Sequence, residues 1–129
     1  ERLEMAFKEY LAVAREMNLL DFSLIMLYLL KLLKSRPSIR EDFDFVLVDE
    51  FQDTNTVQYE VLRLIADKNV CVIGDPNQCI YEWRYARPDN ILRFMEDFNP
   101  DVIKLEYNYR SKPYILYVAN SILQASKAQ

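Results

Sequence analysis

Two adjacent carboxylates, Asp49 and Glu50, are the residues whose types and spacing could do chemistry most directly. They follow an apolar run at 46–48 that is typical of a strand. One carboxylate of such a pair can hold Mg²⁺, while its neighbour orients or deprotonates the water that attacks a phosphoryl group. The alternative is an acidic turn that only solubilises the end of a strand. The surrounding residues decide between the two interpretations.

Three polar and aromatic runs accompany the predicted strands. They read D-E-F-Q-D-T-N at 49–55, G-D-P-N-Q-C-I-Y-E-W-R at 74–84 and L-E-Y-N-Y-R-S at 105–111. In this order, the runs resemble the second, third and fourth helicase motifs of the UvrD/Rep/PcrA helicases of superfamily 1. The firm resemblance covers 49–111, which is nearly half of the chain.

The resemblance implies a role for five residues at a bound nucleotide. Asp49 matches the Walker B aspartate that binds Mg²⁺, and Glu50 matches the glutamate that activates the hydrolytic water. Gln78 matches a glutamine that senses the γ-phosphate of ATP. Arg110 matches an arginine that contacts the γ-phosphate as a finger, and Tyr109 matches a tyrosine that stacks on adenine.

The resemblance also implies a DNA contact close to the phosphate sensor. Tyr81 and Trp83 match aromatics that form pockets for single-strand bases, and Arg84 matches the adjoining basic residue. Base stacking tolerates any sequence, which a translocating motor needs. Many members have glycine at the positions of Glu82 and Tyr85, so the sequence of this loop departs from the family pattern, and its side chains restrict positive φ.

These roles have simpler alternatives that the residues alone leave open. Trp83 and Tyr81 could be core residues, although Trp83 lies between two charged residues. Arg110 could be a surface ion-pair partner of Glu106. Two further residues, Gln52 and Asp53, are expected to brace the turn that carries the carboxylates.

The elements that must position these residues follow from apolar periodicity and capping signals. Apolar residues at helical spacing predict helices over 3–17 and 22–34, the second capped by Asp21, which together form a hairpin. The apolar runs 46–48 and 70–73 predict buried parallel strands. Asn55 and Gln58 resemble a capping box, which begins the helix that connects these strands.

Three more elements are predicted in the second half of the chain. Pro88 opens a helix that Asn99 and Pro100 end. Residues 102–105 read as a third strand. A last helix follows, with Ser111 as its cap and Pro113 in its first turn.

The predicted fold class is therefore α/β, with the reactive side chains at the carboxyl ends of parallel strands. The resemblance implies a partial RecA-like, P-loop NTPase sheet with flanking helices. Residues 1–40 would be a helical segment, and 41–129 the later half of the first motor domain. Gly74 is the only glycine, whereas a P-loop needs two. The start at Glu1 also suggests a fragment, which we expect to be inactive alone.

Composition narrows the class of function further. A formal net charge of -4 means that any DNA contact comes from a local patch or from segments outside the chain. With no histidine and only Cys71 and Cys79, a four-ligand zinc site is excluded. The uncharged stretch 22–30 is about half of the roughly 20 residues that span a bilayer. No secretory signal is visible, so we predict a cytoplasmic protein that does not contact a membrane.

The functional prediction is an ATP-dependent DNA helicase that couples hydrolysis of ATP with Mg²⁺ to single-strand translocation and duplex unwinding, in DNA repair or recombination. Its partners would be single-stranded and duplex DNA and the remaining helicase domains. One alternative is a Mg²⁺-dependent phosphohydrolase that uses Asp49 and Glu50 without DNA. Another is a DNA- or protein-binding module that lacks catalysis.

Overall fold

The computed structural model of the chain describes residues 2–66, 69–80, 86–87 and 89–127. Its elements are five helices and two strands: α1 Arg2–Glu16, α2 Phe22–Ser35, β1 Val46–Val48, α3 Thr56–Ile65, β2 Val70–Val72, α4 Asn90–Phe98 and α5 Pro113–Lys127. Short 3₁₀ turns occur at Pro37–Asp42, Phe51–Asp53 and Pro76–Gln78. The described chain is thus mostly helical.

The first two helices lie where the sequence predicts them. Asp21 caps α2, and its carboxylate accepts a hydrogen bond from the Leu24 N–H at 2.7 Å. The Tyr10 hydroxyl of α1 donates to the same carboxylate. None of the residues of α1 is buried, whereas α2 buries Leu24 and Leu33 and packs mainly against α3. The second helix is therefore part of the packed body.

The two strands form a parallel pair joined by α3, so the predicted strand, helix, strand crossover is confirmed. Val46 pairs with Val70, and Val48 pairs with Val72. The capping box at the start of α3 is also confirmed. The Asn55 side chain accepts from the Gln58 N–H at 3.0 Å, and the Gln58 side chain accepts from the Asn55 N–H at 2.9 Å.

One face of this sheet carries the hydrophobic core. The buried residues of the core come from the turn after β1, from α3 and the residue that ends it, and from α4. They are Phe51, Tyr59, Leu62, Ala66 and Phe94. Valines of both strands pack against them. On the other face, Leu47 is 73% exposed and Cys71 is also exposed. The prediction of fully buried strands is wrong for that face, because no described element covers it.

The predicted third strand is absent, since residues 101–107 have no regular secondary structure and are exposed. A strand exists through hydrogen bonds to a neighbour, and this apolar run makes none within the described part of the chain. The predicted cap of α5 is also one residue off, because the Lys112 carbonyl accepts from the Leu116 N–H and the helix begins at Pro113.

The fourth helix begins later and ends where expected. It starts at Asn90, while Pro88 lies outside the described residues. Asn99 ends it with a left-handed backbone, φ 44° and ψ 57°, a conformation that asparagine tolerates well. The loop after α4 then leads into the exposed segment 101–107.

Candidate functional site

The carboxylate turn, residues 49–53, follows β1 directly at its carboxyl end. The Asp49 carboxylate accepts a hydrogen bond from the Glu50 N–H at 2.9 Å. Glu50 itself has φ 50° and ψ 44°, the left-handed region that side chains other than Asn, Asp and Gly rarely adopt. Such strain persists only where the surroundings impose it, and it concentrates at functional sites. The backbone thus marks Glu50 as an unusual position.

Gln52 explains how the surroundings hold this turn. Its side chain is buried, with 2% exposure, between the loops that follow the two strands. Its Nε2 donates to Glu50 Oε2 at 2.7 Å, and its Oε1 accepts from the Asp75 N–H at 3.0 Å. One amide therefore joins the loop after β1 to the loop after β2. The expectation that Gln52 braces the turn is confirmed.

Asp53 contributes to the turn through its backbone. Its N–H donates to the Glu50 carbonyl at 2.9 Å. Its Oδ1 is buried and has no hydrogen-bond partner among the described residues. Bracing by the Asp53 side chain therefore finds no support in these contacts.

Gly74, the only glycine, lies where the two loops come closest. A Cβ added at this position would be 2.7 Å from Gln52 Oε1 and 3.2 Å from the backbone nitrogens of Phe51 and Gln52. The Phe51 N–H also donates to the Ile73 carbonyl at 2.9 Å. The absent side chain makes room for the Gln52 bridge. Sequence reasoning missed this role, although a lone glycine directly after a strand was its signal.

Gln78 lies on the same edge, in the Pro76–Gln78 turn, with an exposed side chain. Its Nε2 donates to Asp75 Oδ2 at 2.9 Å, and Asp75 Oδ1 accepts from the Asn77 N–H at 2.9 Å. The hydrogen bond from Gln78 is the main reason why the pKa of Asp75 lies below its usual value; partial burial opposes this effect. Asp75 is thus a carboxylate of the site that sequence reasoning missed.

The structure brings Asp49, Glu50 and Gln78 to one edge but, among the described residues, shows no bond between that edge and Tyr109 or the Arg110 side chain. Tyr109 is 94% exposed. Within the described residues, no hydrogen bond or ion pair links the Arg110 side chain to that edge, or to Glu106. The local turn is set by Asn108, whose side chain accepts from the N–H groups of Arg110 and Ser111 at 3.3 Å each.

The predicted DNA contacts Tyr81, Trp83 and Arg84 lie outside the described residues. The chain is described again at Ala86, which forms an isolated antiparallel bridge with Asn55. The Arg87 N–H then donates to the Thr54 carbonyl at 3.0 Å. The chain that leaves the site after Gln78 thus returns to the residues that follow the carboxylate turn.

The donors at this edge suit Mg²⁺ better than a metal held by protein alone. In the described part of the chain, no three His, Cys, Asp or Glu residues are grouped to hold a metal ion. Mg²⁺ commonly takes one or two carboxylates and completes its shell with waters and substrate phosphates. A single exposed Asp49 at a strand end fits that pattern.

None of the helices in the described ranges combines the length and the apolar character that crossing a membrane requires.

Comparison with known proteins shows which family the chain belongs to. A family model, the UvrD/REP helicase N-terminal domain, matches residues 1–99. DNA helicase II of Rickettsia typhi is 40% identical over 131 aligned positions, which cover 96% of this chain and 20% of that protein. DNA helicase II of Escherichia coli is 40% identical over 128 positions, covering 94% of this chain and 18% of that protein.

A third relative carries a different helicase name. The ATP-dependent DNA helicase Rep of Buchnera aphidicola is 40% identical over 124 positions, which cover 91% of this chain and 19% of that protein. The chain therefore spans about one fifth of the length of the relatives that it matches.

Proposed function

The chain belongs to the UvrD/REP helicase family, and we propose that it supplies the hydrolytic carboxylates and the phosphate sensor of an ATP-dependent DNA helicase. The observation that carries the proposal is the Gln52 bridge, which joins Glu50 to the loop that leads to Gln78. Two segments with helicase-like sequences are thereby fixed against each other. The activity is assigned to a longer protein that also contains the remaining helicase segments.

The fold assignment is part of this proposal. In it, β1, α3 and β2 form the Walker B half of a RecA-like sheet within 41–129, the later half of the first motor domain, and 1–40 is a helical segment. The parallel register of the strands and the position of the carboxylate turn support this assignment. A P-loop would come from another segment, because this chain has a single glycine.

Glu50 would orient and deprotonate the attacking water. Gln52 holds one of its oxygens at 2.7 Å, and the left-handed backbone of Glu50 sets the direction in which the side chain leaves the turn. A fixed carboxylate suits general-base catalysis, which depends on geometry before pKa. Asp49 would hold Mg²⁺, an ion that neutralises charge on the phosphates of ATP when bound.

Gln78 would report the presence of the γ-phosphate. Its Nε2 now donates to Asp75, a carboxylate held by its neighbours in the loop. A phosphate oxygen would compete with Asp75 for this donor, so the side chain has two alternative hydrogen-bond acceptors, each negatively charged. The choice between them would distinguish the nucleotide states. Tyr109 would stack on adenine and Arg110 would contact the γ-phosphate.

Tyr81, Trp83 and Arg84 would contact single-stranded DNA. Translocation along that strand and unwinding of the adjacent duplex would follow from the change at Gln78, in DNA repair or recombination. A phosphohydrolase without DNA leaves Tyr81 and Trp83 without a role, and a binding module without catalysis leaves Glu50 and its strained turn without one.

The proposal is tested by strand separation and by DNA affinity. The longer protein should separate a labelled duplex only with ATP and Mg²⁺. Trp83→Ala should weaken single-strand binding by about 1–3 kcal/mol, the value of one lost base stack, and impair unwinding more than DNA-independent ATP hydrolysis. Trp83→Phe is the matched control, because it retains an aromatic face. Normal DNA affinity with reduced thermal stability in Trp83→Ala would identify a core residue instead.

The rate of ATP hydrolysis tests the role proposed for Arg110. Arg110→Ala should slow hydrolysis by up to about 10³–10⁵-fold, the range of arginine fingers. Arg110→Lys keeps the charge but loses the planar fork, so its rate should recover only in part. A rate in Arg110→Ala equal to that of the unsubstituted protein would remove Arg110 from the site.

A further inference from the structure

Asn90, the first residue of α4, is a buried polar residue to which no motif assigns a role. Its side chain is 0% exposed. Its Nδ2 donates to the Thr54 carbonyl at 2.9 Å and lies 3.3 Å from Thr54 Oγ1. Its Oδ1 accepts from Arg93 Nη1 at 3.5 Å. Burying an amide raises the free energy of the folded state unless the amide is hydrogen-bonded. The hydrogen-bond partners of Asn90 therefore indicate what the residue does.

Thr54 is the point at which these bonds meet the carboxylate turn. Its carbonyl accepts from both the Arg87 N–H, at 3.0 Å, and Asn90 Nδ2. Its own hydroxyl donates to the Phe51 carbonyl at 2.7 Å. Two donors from residues that follow 81–85 thus bind the same carbonyl. The hydroxyl of Thr54 connects this residue to the turn beside Glu50.

Contacts other than those of the Asn90 amide also hold α4 in place. Phe94 lies in the hydrophobic core and stacks on Phe98 with ring centroids 4.7 Å apart. Arg93 lies over the Tyr59 ring at 4.5 Å and pairs with Glu60 at 3.3 Å. These contacts join α4 to α3, and Arg93 is in addition bonded to Asn90 Oδ1. The Asn90 amide adds a direct bond from α4 to the backbone of residue 54.

Described residues on both sides of 81–85 are therefore bonded to the same short stretch, 52–55. Before 81–85, the Asp75 N–H donates to Gln52. After 81–85, Ala86 bridges Asn55, and Arg87 and Asn90 bond to Thr54. Gln78 lies between these attachments. A displacement of Gln78 or of the carboxylate turn would therefore act through hydrogen bonds on both sides of the residues Tyr81, Trp83 and Arg84.

We propose that Asn90 is a positioning residue that couples nucleotide state to DNA affinity by fixing the returning end of 76–86 to the Thr54 carbonyl. The inference rests on the function proposed above. It assigns to Asn90 no contact with nucleotide or DNA. With the amide removed, nucleotide and DNA should each still bind, but each should lose its influence on the other, since coupling requires an element that both sites bias.

The test measures the ratio of the single-strand dissociation constants without and with a non-hydrolysable ATP analogue, at fixed salt. In the longer unsubstituted protein, this ratio should fall within the roughly 5–150-fold range of allosteric couplings. Asn90→Leu fills a similar volume without a donor, and Asn90→Ala removes the donor without adding bulk. In both variants the ratio should fall to within about twofold of one, while DNA affinity without nucleotide changes little.

Tyr59→Phe is the matched control, because it removes the bond from the Tyr59 hydroxyl to Asp97, 2.7 Å long, at the same α3–α4 interface. It should lower the melting temperature and keep the ratio. The inference is overturned if both Asn90 variants keep the ratio of the unsubstituted protein, or if Tyr59→Phe loses it to the same extent. A ratio of one in the unsubstituted protein overturns the proposed function itself.

Discussion

The edge of the sheet at 49–55 and 74–78 and the segment 101–111 both carry helicase-like sequence, yet they differ in how far along the chain their hydrogen-bond partners lie. At the edge of the sheet, the Gln52 amide, the Thr54 carbonyl and the paired strands form hydrogen bonds to residues that are distant in the chain. In the second, Leu105 and Tyr109 are exposed and hydrogen bonds stay within a few residues. A motif sequence alone does not fix the position of its side chains, because that also requires contacts with neighbouring elements.

The difference follows from where the partners lie. The carboxylate turn finds Asp75 across the strand pair and Phe94 across the core, all within the described chain. Residues 102–105 have the apolar pattern of a strand but find no strand to pair with. We therefore propose that Tyr109 and Arg110 reach the phosphate site only when further segments support them.

The largest stability difference is expected between Phe51 and Leu105. Phe51 is buried, with ring centroids 5.5 Å from Phe94 and 6.2 Å from Tyr59, whereas Leu105 is 87% exposed. Phe51→Ala should cost about 3–5 kcal/mol of unfolding free energy. Leu105→Ala should stay within about 0.5 kcal/mol. Chemical denaturation of the chain measures both, and equal losses would show that the two regions are packed alike.

A smaller effect is expected at Gly74. Gly74→Ala places a methyl group 2.7 Å from Gln52 Oε1, which should displace the amide and cost about 1–3 kcal/mol. A double-mutant cycle sharpens the test, because Gln52→Ala removes the oxygen that clashes. In that background the Gly74→Ala cost should fall clearly. An unchanged cost would mean that the neighbouring backbone, and not the bridge, requires the glycine.

The smallest effect concerns the protonation of Asp75. The Gln78 amide is the main cause that lowers the pKa of Asp75 below its ordinary value of 3.8. This carboxylate therefore stabilises the folded state at pH above that ordinary value, and the contribution disappears as pH falls through the lower folded value. Gln78→Leu should raise the pKa of Asp75 toward its usual value. A carboxyl NMR titration measures it, with Gln58→Leu as a control away from this edge. No change in Gln78→Leu would exclude the Gln78 contact in solution.

Sequence predicted best what depends on residues close in the chain. The helix ends are set by side chains or backbone conformations within one turn of each helix. The residues concerned are Asp21, Asn55 with Gln58, and Asn99, and each lies at the predicted helix end. The crossover was also predictable, because two short apolar runs flanked one capped helix.

What depends on distant partners was not predictable in the same way. The left-handed backbone of Glu50 and the bridge from Gln52 to Asp75 require two loops to meet in space. Asn90 appears in sequence as an ordinary polar residue at the start of a helix, and only the fold shows it buried against Thr54. The run 102–105 failed for the converse reason, since its pattern needed a partner strand.

The most direct measurement is single-turnover ATP hydrolysis by the longer protein carrying Glu50→Gln. The amide keeps the shape of the carboxylate and can still bond to Gln52, but it cannot take a proton from water. Binding of a fluorescent ATP analogue should stay within about twofold of the unsubstituted protein, while the hydrolysis rate falls by about 10²–10⁴-fold. A Glu50→Gln protein that hydrolyses ATP at the unsubstituted rate would contradict the assignment of this edge as the hydrolytic site.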